Sequence, residues 1–296
     1  EDLAQLGTNA IKGLSATQIG ALTSGQVTAF TTAQAAALSY AQIAGLTTAN
    51  IKGLEAVDLE KISTAAIKGL QATAVGGIST DAIAKLSSSH ISAFSDAQVK
   101  AFTTDQAGKL TSAQAAGLTA ANIKGLETAD LAQLSTDAIA GLSASSISAF
   151  SADQVKAFTA AQAEKLTSAQ VAGLTATNIK GLETADLEKL STTAIAGLSA
   201  SSIGALSSDQ VKAFTAAQAE KLTSAQVAGL TATNIKGLET ADMVKITDTA
   251  IKGLTTAAIQ ALDNKGNVTA SQITALKTAY TTTQLSGWGF TTDQLA

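Results

Sequence analysis

The 296-residue chain has no cysteine, no proline and no arginine, one histidine, and aromatic residues at only 3% of positions. Each scarcity removes a class of chemistry or of stabilisation. Without Cys there are no disulfides, and without a second His the usual zinc sites and the Ser-His and Cys-His nucleophile systems cannot be assembled. The core must be made of Leu, Ile, Val and Ala. All cations are Lys and the net charge is -4, so the chain lacks the basic face and Arg forks that a nucleic-acid partner calls for. No apolar run approaches the roughly eighteen residues of a membrane span, and no signal peptide is visible at the start.

What is present is one unit written over and over, typified by Leu166-Thr167-Ser168-Ala169-Gln170-Val171-Ala172-Gly173. Counting by eights from Leu6 gives Leu14, Leu22, Phe30, Leu38 and onward to Leu262, and a second apolar ladder runs five residues behind, from Ile11 and Ile19 to Ile259. Repetition at a short fixed period points to a solenoid. After the large apolar residue comes Ser or Thr, and three positions later Gln, Asn or Asp in most octads. That is a capping box: the hydroxyl accepts a first-turn N–H, and the N3 side chain reaches back to the N-cap amide. Leu166 and Val171 flank it as a hydrophobic staple.

These starts cannot lie along one long helix. At about 100° per residue an eight-residue repeat drifts by roughly 80° each time, winding the apolar stripe around the cylinder where no partner surface could bury it. The chain should instead break and re-cap at every octad. The predicted fold is all-α, a solenoid of very short capped helices, one per octad, over residues 1–262. A β-solenoid is the alternative; the abundant Ala, Gln and Lys, the absence of strict two-residue alternation and the capping box itself argue against it. Handedness and the number of octads per coil stay open. Where the large residue is Phe at 30, 102, 158 and 214, its N4 partner is Ala35, Ala107, Ala163 or Ala219, while Phe94 and Phe150 take Val99 and Val155; a large residue facing a small one conserves volume in a dense core.

Above the octad lies a repeat of seven octads: Phe158 to Asp242 copies much of Phe102 to Asp186. In each copy one octad places Glu at the cap, Glu127, Glu183 or Glu239, with Asp130, Asp186 or Asp242 three residues on; Glu55 with Asp58 does the same earlier. Acidic first turns complement the helix dipole, so these read as alternative caps, neutralised by Lys124, Lys180 and Lys236. The other reading is a carboxylate pair for Ca2+ or for a Lys of another chain. Gly173 and Gly181 are spaced by the octad and fall at expected helix ends, so they form no phosphate loop. His90 stands where Gln98 and Gln106 stand in the next octads and reads as a capping or surface polar group.

The rhythm stumbles at Asp263-Asn264-Lys265-Gly266-Asn267-Val268, a turn by its Asx and Gly content that faintly resembles a shortened Ca2+ loop. Residues 263–296, with Tyr280, Trp288 and Phe290, read as degenerate repeats forming a C-terminal cap, or an aromatic docking point. The opening Glu1-Asp2-Leu3-Ala4-Gln5-Leu6 resembles Glu127 to Leu134 with two residues missing, as either a trimmed chain or a segment of a longer array would.

The pattern L-[ST]-x-x-Q-[IV]-x-[AG], as in Leu166 to Gly173 and Leu38 to Gly45, resembles the octapeptide arrays of large secreted or cell-surface bacterial proteins, some adhesin-like. That resemblance implies an extracellular or cell-surface location and a role in surface structures or adhesion, and brings no catalytic residues. No catalytic, cofactor-binding or metal residue is assigned, and no cofactor is expected. The functional expectation is a non-enzymatic structural protein, an extended rod serving as surface stalk, surface layer or filament subunit. Its expected partners are other copies or neighbouring repeats of a longer chain. The alternative is an adhesin or a ligand-binding solenoid for a peptide or glycan; binding of ice or mineral through rows of Ser and Thr is a further one.

Overall fold

The computed structural model describes residues 2–263 and 265–296, so readings made on Glu1 and Asn264 fall outside the described residues. Within that range the regular elements are thirty-one α-helices and six 3-10 helices, with no strand, which sets aside the β-solenoid. The helices run from four residues, as in Ser168–Val171, to seven in Ala270–Leu276. Most of the α-helices begin where the sequence places a Ser or Thr cap. At Ser168–Val171 the N-cap Thr167 is extended (φ -82°, ψ 163°). Its hydroxyl accepts from the Gln170 N–H at 3.3 Å, and Gln170 Oε1 accepts from the Thr167 N–H at 2.9 Å. A cap of this kind contributes about 1 kcal/mol, too little to hold a one-turn helix in water, so packing between helices must supply the rest.

The chain divides into two units, residues 1–150 and 151–296. In the first, the buried Gln42 donates to the carbonyls of Ile11 and Leu14, which lie 31 and 28 residues earlier. Gln114 does the same to Ile83 and Leu86. The second unit repeats the register, with Gln226 donating to Ile195 and Leu198, again 31 and 28 residues back. A coil therefore closes after 28 residues, which is three and a half octads. Successive coils are staggered by half an octad, so each helix sits over the joint between two helices of the coil before. Seven octads make two coils, and the long sequence repeat is thus the shortest stretch that returns an octad to the same side.

Both apolar ladders enter the core. Leu118 and Ile123 are fully buried. Ala35, Ala107, Ala163 and Ala219, the small residues behind Phe, are equally inaccessible. Phe94 and Phe102 meet edge-on with ring centroids 5.8 Å apart, the arrangement aromatic quadrupoles favour.

Glycine at the end of an octad proves to serve coil contact and not a left-handed C-cap. Among the described residues only Gly289 has positive φ. A Cβ on Gly125 would come 1.9 Å from Asp96 O, and one on Gly181 would come 1.9 Å from Ala152 O. The coils touch backbone to backbone at these points, and nothing larger than hydrogen fits.

After Leu262 the register loosens. The turn expected at Asp263–Val268 contains a 3-10 turn at Lys265–Asn267. Lys265 Nζ donates to Leu262 O, and the Tyr280 hydroxyl donates to Leu254 O at 2.6 Å. The Tyr280 ring lies edge-on against Trp288, 5.1 Å between centroids.

Candidate functional site

The chemistry of this chain is concentrated in a seam of polar side chains at N3, present in most octads and replaced by Ala in others, such as Ala82 and Ala138, running between coils. Gln is its standard member. Gln114 Oε1 accepts from the Thr111 N–H at 3.0 Å, closing the capping box of its own helix, while Nε2 donates to Ile83 O and Leu86 O at 2.7 Å each. Those carbonyls end the helix Thr80–Lys85: Ile83 O already accepts from the Leu86 N–H at 3.1 Å, so the amide adds a second donor there and bonds Leu86 O beside it. One amide thus caps the N-terminus of one helix and the C-terminus of another a coil away, with acceptor and donor both used. Gln114 is accordingly 2% exposed.

The sequence reading found the first half of this arrangement and missed the second. A signal was there. A capping box accepts Glu as readily as Gln, yet no octad carries Glu at N3. An ionised Glu accepts on both sides, whereas an amide accepts on one side and donates on the other.

Asn shortens the seam. Asn50 donates to Ile19 O at 2.9 Å and Leu22 O at 3.2 Å, and Asn122 donates to Ile91 O and Phe94 O. With one methylene fewer the backbones must approach, and each Asn is followed by Ile-Lys-Gly wound as 3-10 helix, as at Ile51–Gly53 and Ile123–Gly125. The glycine that closes each of these octads is the one against the preceding coil. His90 is a Gln substitute: Nδ1 accepts from the Ser87 N–H at 3.1 Å, so Nε2 carries the proton that bonds Ile62 O at 2.8 Å. Ser146 and Ser202 reach one carbonyl only, Leu118 O at 2.5 Å and Leu174 O at 2.6 Å.

The acidic octads differ from expectation. Glu55, Glu127, Glu183 and Glu239 occupy the N-cap but make no side-chain cap bond. The cation that meets Glu239 is Lys212, at 3.3 Å, in place of the expected Lys236. Both partners are more than half exposed, so this pair contributes little. Each Asp at N3 is buried. Burial first, and the charge of Glu183 second, push the Asp186 carboxyl up to about 6, although the Glu183 N–H it accepts pulls the other way. Asp130 beside Glu127 and Asp242 beside Glu239 are raised to about 6 by the same causes. Asp58 is raised as well, by burial and then by Glu55.

Outside the seam the surface is shallow. One groove, about 670 Å³, lies in the second unit between Lys156, Lys180, Glu183 and Asp209, and another of about 490 Å³ repeats it at Lys236, Glu239 and Asp263. Both signs of charge line each, and both are open to solvent. Leu166–Gly173, Leu190–Ala205 and Leu222–Gly229, by contrast, contain no charged residue. They adjoin one another, since Gly197 packs on Ser168 and Gly229 on Ala200. Their exposed positions are Thr, Ser and Ala, for instance Thr167, Ala169, Thr223 and Ala225. Among the described residues there is no group of three or more His, Cys, Asp or Glu that could hold a metal ion, and no helix long and apolar enough to cross a membrane.

Comparison with known families agrees with a repeat array. The family model described as the ALTTAQ repeat matches residues 1–32, 83–112, 123–160 and 179–216. The chain is similar to that repeat in four separate stretches, each several octads long. No curated protein matches the chain.

Proposed function

We propose that the protein is a non-enzymatic structural element, an extended rod that sets a distance at a cell surface or in an extracellular assembly and associates with copies of itself. The observation that carries this reading is the seam. The polar side chains that recur most regularly, the N3 amides and the N-cap hydroxyls, are bonded within and between coils, which leaves them unavailable to a substrate. The same commitment of the hydroxyls counts against ice or mineral binding through Ser and Thr rows. The uncharged face of Leu166–Gly173, Leu190–Ala205 and Leu222–Gly229 supports lateral association, because packing it against another such face desolvates no charge.

Negative-stain microscopy of the purified chain at rising concentration tests both parts. Rods that align into sheets or fibres are expected, and a variant with Ala169→Lys and Ala225→Lys should give isolated rods. Compact particles at every concentration would end the rod reading. Stoichiometric capture of one peptide or glycan would favour the ligand-binding alternative.

A further inference from the structure

At N3 the Gln, Asn, His and Ser octads all present a donor to the coil before. Asp cannot, when ionised. One carboxylate oxygen of Asp186 accepts the Glu183 N–H, as Gln Oε1 accepts its N-cap amide. The planar group then turns its other oxygen toward the place from which Gln donates. That atom, Asp186 Oδ2, is shielded from solvent and has no hydrogen-bond partner, and Asp130 Oδ2 is in the same state. Both side chains are 3% exposed. By the register of the neighbouring octads, 31 and 28 residues back, the groups opposite Asp186 are the carbonyls of Val155 and Phe158. For Asp242 they are those of Val211 and Phe214. An oxygen set against two carbonyl oxygens is repulsive unless a proton lies between them.

We propose that Asp186, with Asp130 as its counterpart in the first unit, is a proton-operated latch between coils, and that Asp242, buried at the same place in the next repeat, acts likewise. Protonated, the carboxylic acid does the work of the Gln amide, accepting its N-cap N–H and donating its O–H to the coil before. Ionised, it leaves an uncompensated carboxylate in the seam and the junction weakens. The array is thereby firmer in mild acid than at neutral pH, with the weak junctions spaced two coils apart.

The charged groups around the latch do not remove this behaviour. Helix Thr184–Lys189 packs on Ala160–Glu164 and Ser208–Lys212, which bring Glu164, Lys165, Asp209 and Lys212 near Asp186, and Lys180 precedes it. Of these and its own neighbours, only Glu183 acts on the carboxyl, and it raises it. Around Asp242 the packed helix Ala216–Glu220 brings Glu220 and Lys221, Lys212 pairs with Glu239, and Lys236 and Asp263 line the groove beside it; of these charges Glu239 alone acts on the carboxyl, in the same direction.

The sign follows from where the proton is held. Below the ordinary carboxyl value of 3.8 folded and unfolded chains are both protonated and the latch contributes fully. As pH rises from about 4 to about 6 the unfolded chain ionises first, so stability falls; above about 6 it falls no further. Two pH units of offset correspond to a change on the order of 100-fold in the opening constant per latch.

The test compares the full chain with its Asp186→Asn, Asp242→Asn variant by urea unfolding, followed by circular dichroism, between pH 4 and 7.5. The parent midpoint should drop with rising pH, while the variant, whose amides donate at every pH, should keep its acid midpoint. Equal slopes in parent and variant would overturn the proposal. So would Ca2+ restoring the parent at pH 7.5 with no effect on the variant, since a cation and not a proton would then fill the seam. Should the variant not fold, carbon-13 titration of the parent's aspartate carboxyls decides: two groups in the second unit with midpoints near 6 support the latch, and midpoints near 4 refute it.

Discussion

Gln114 Nε2 lies 2.7 Å from the carbonyl oxygen of Ile83, thirty-one residues earlier in the chain, and that single bond reports how the octads are stacked. It ties the start of one short helix to the end of another, as a second donor on Ile83 O beside the Leu86 N–H. Neither helix is stable alone, so the tie belongs to the folding unit as much as to its surface.

Replacing that amide by an acid should expose its double role. Gln114→Glu keeps an oxygen for the Thr111 N–H and loses the donor, so at neutral pH it should destabilise the chain by about 2 kcal/mol. At pH 4 a protonated Glu can donate again, and most of the loss should return. Urea unfolding at the two pH values measures this, and a variant as stable as the parent at pH 7 would show that the bond to Ile83 is dispensable.

Gly125→Ala should cost more than any cap. Its Cβ would stand 1.9 Å from Asp96 O, backbone against backbone, so the coils must separate. A loss of several kcal/mol, on the order of the larger core defects, is expected. Gly25→Ala is the control: nothing lies within 4 Å of that Cβ, and the residue sits inside helix Ser24–Thr28. There the change should stabilise by about 0.5–1 kcal/mol, as removal of glycine freedom does. Thermal unfolding of the two variants side by side separates close contact from backbone entropy.

Tyr280→Phe removes the hydroxyl that satisfies Leu254 O and should weaken the last coils by about 1 kcal/mol while leaving the ring against Trp288. Tyr280→Ala removes both. Trp288 is the sole tryptophan, so its fluorescence follows this end alone. Its transition should move to lower urea in the order parent, Phe, Ala, with the circular dichroism of the remaining coils little changed.

Glu183→Gln removes the second cause of the raised Asp186 carboxyl and leaves the first, burial, in place. The Asp186 midpoint should move down from about 6 without reaching the ordinary 3.8. Less of the neutral-pH penalty then remains, so the variant should be more stable than the parent at pH 7 and nearly equal to it at pH 4. Carboxyl titration and unfolding at both pH values check this; a midpoint that stays near 6 would assign the shift to burial alone.

Much of the architecture was legible because its local signals are redundant. Leu166, Thr167, Gln170 and Val171 specify a helix start four times over, and the eightfold repeat excludes a continuous helix by geometry. The coil period was hidden because it is not a whole number of octads: no residue type marks three and a half. The seven-octad repeat held the answer, since it is the doubled coil, but a sequence alone does not distinguish that from gene duplication. Gln226 was read as half a cap because capping is local and its other partners, Ile195 O and Leu198 O, are a coil away. The Asp residues were read as helix-dipole partners because their burial depends on the same stacking, and the glycines as C-caps because the carbonyl each one meets lies 29 residues off, as Asp96 does from Gly125.

The half-octad stagger also acts as a gear. Adding or deleting one octad preserves both apolar ladders and every seam bond, yet it turns everything downstream by about 103°, a full circle divided by three and a half. Core and surface therefore evolve under different arithmetic: any whole octad is harmless inside, while only multiples of seven keep an external pattern aligned. The first unit bears the mark of this. Asp58 and Asp130 are 72 residues apart, nine octads where the later copies are separated by seven. The surplus of two octads swings one acidic position about 206° around the coil axis from the other, so that the earlier acidic octad faces a different direction.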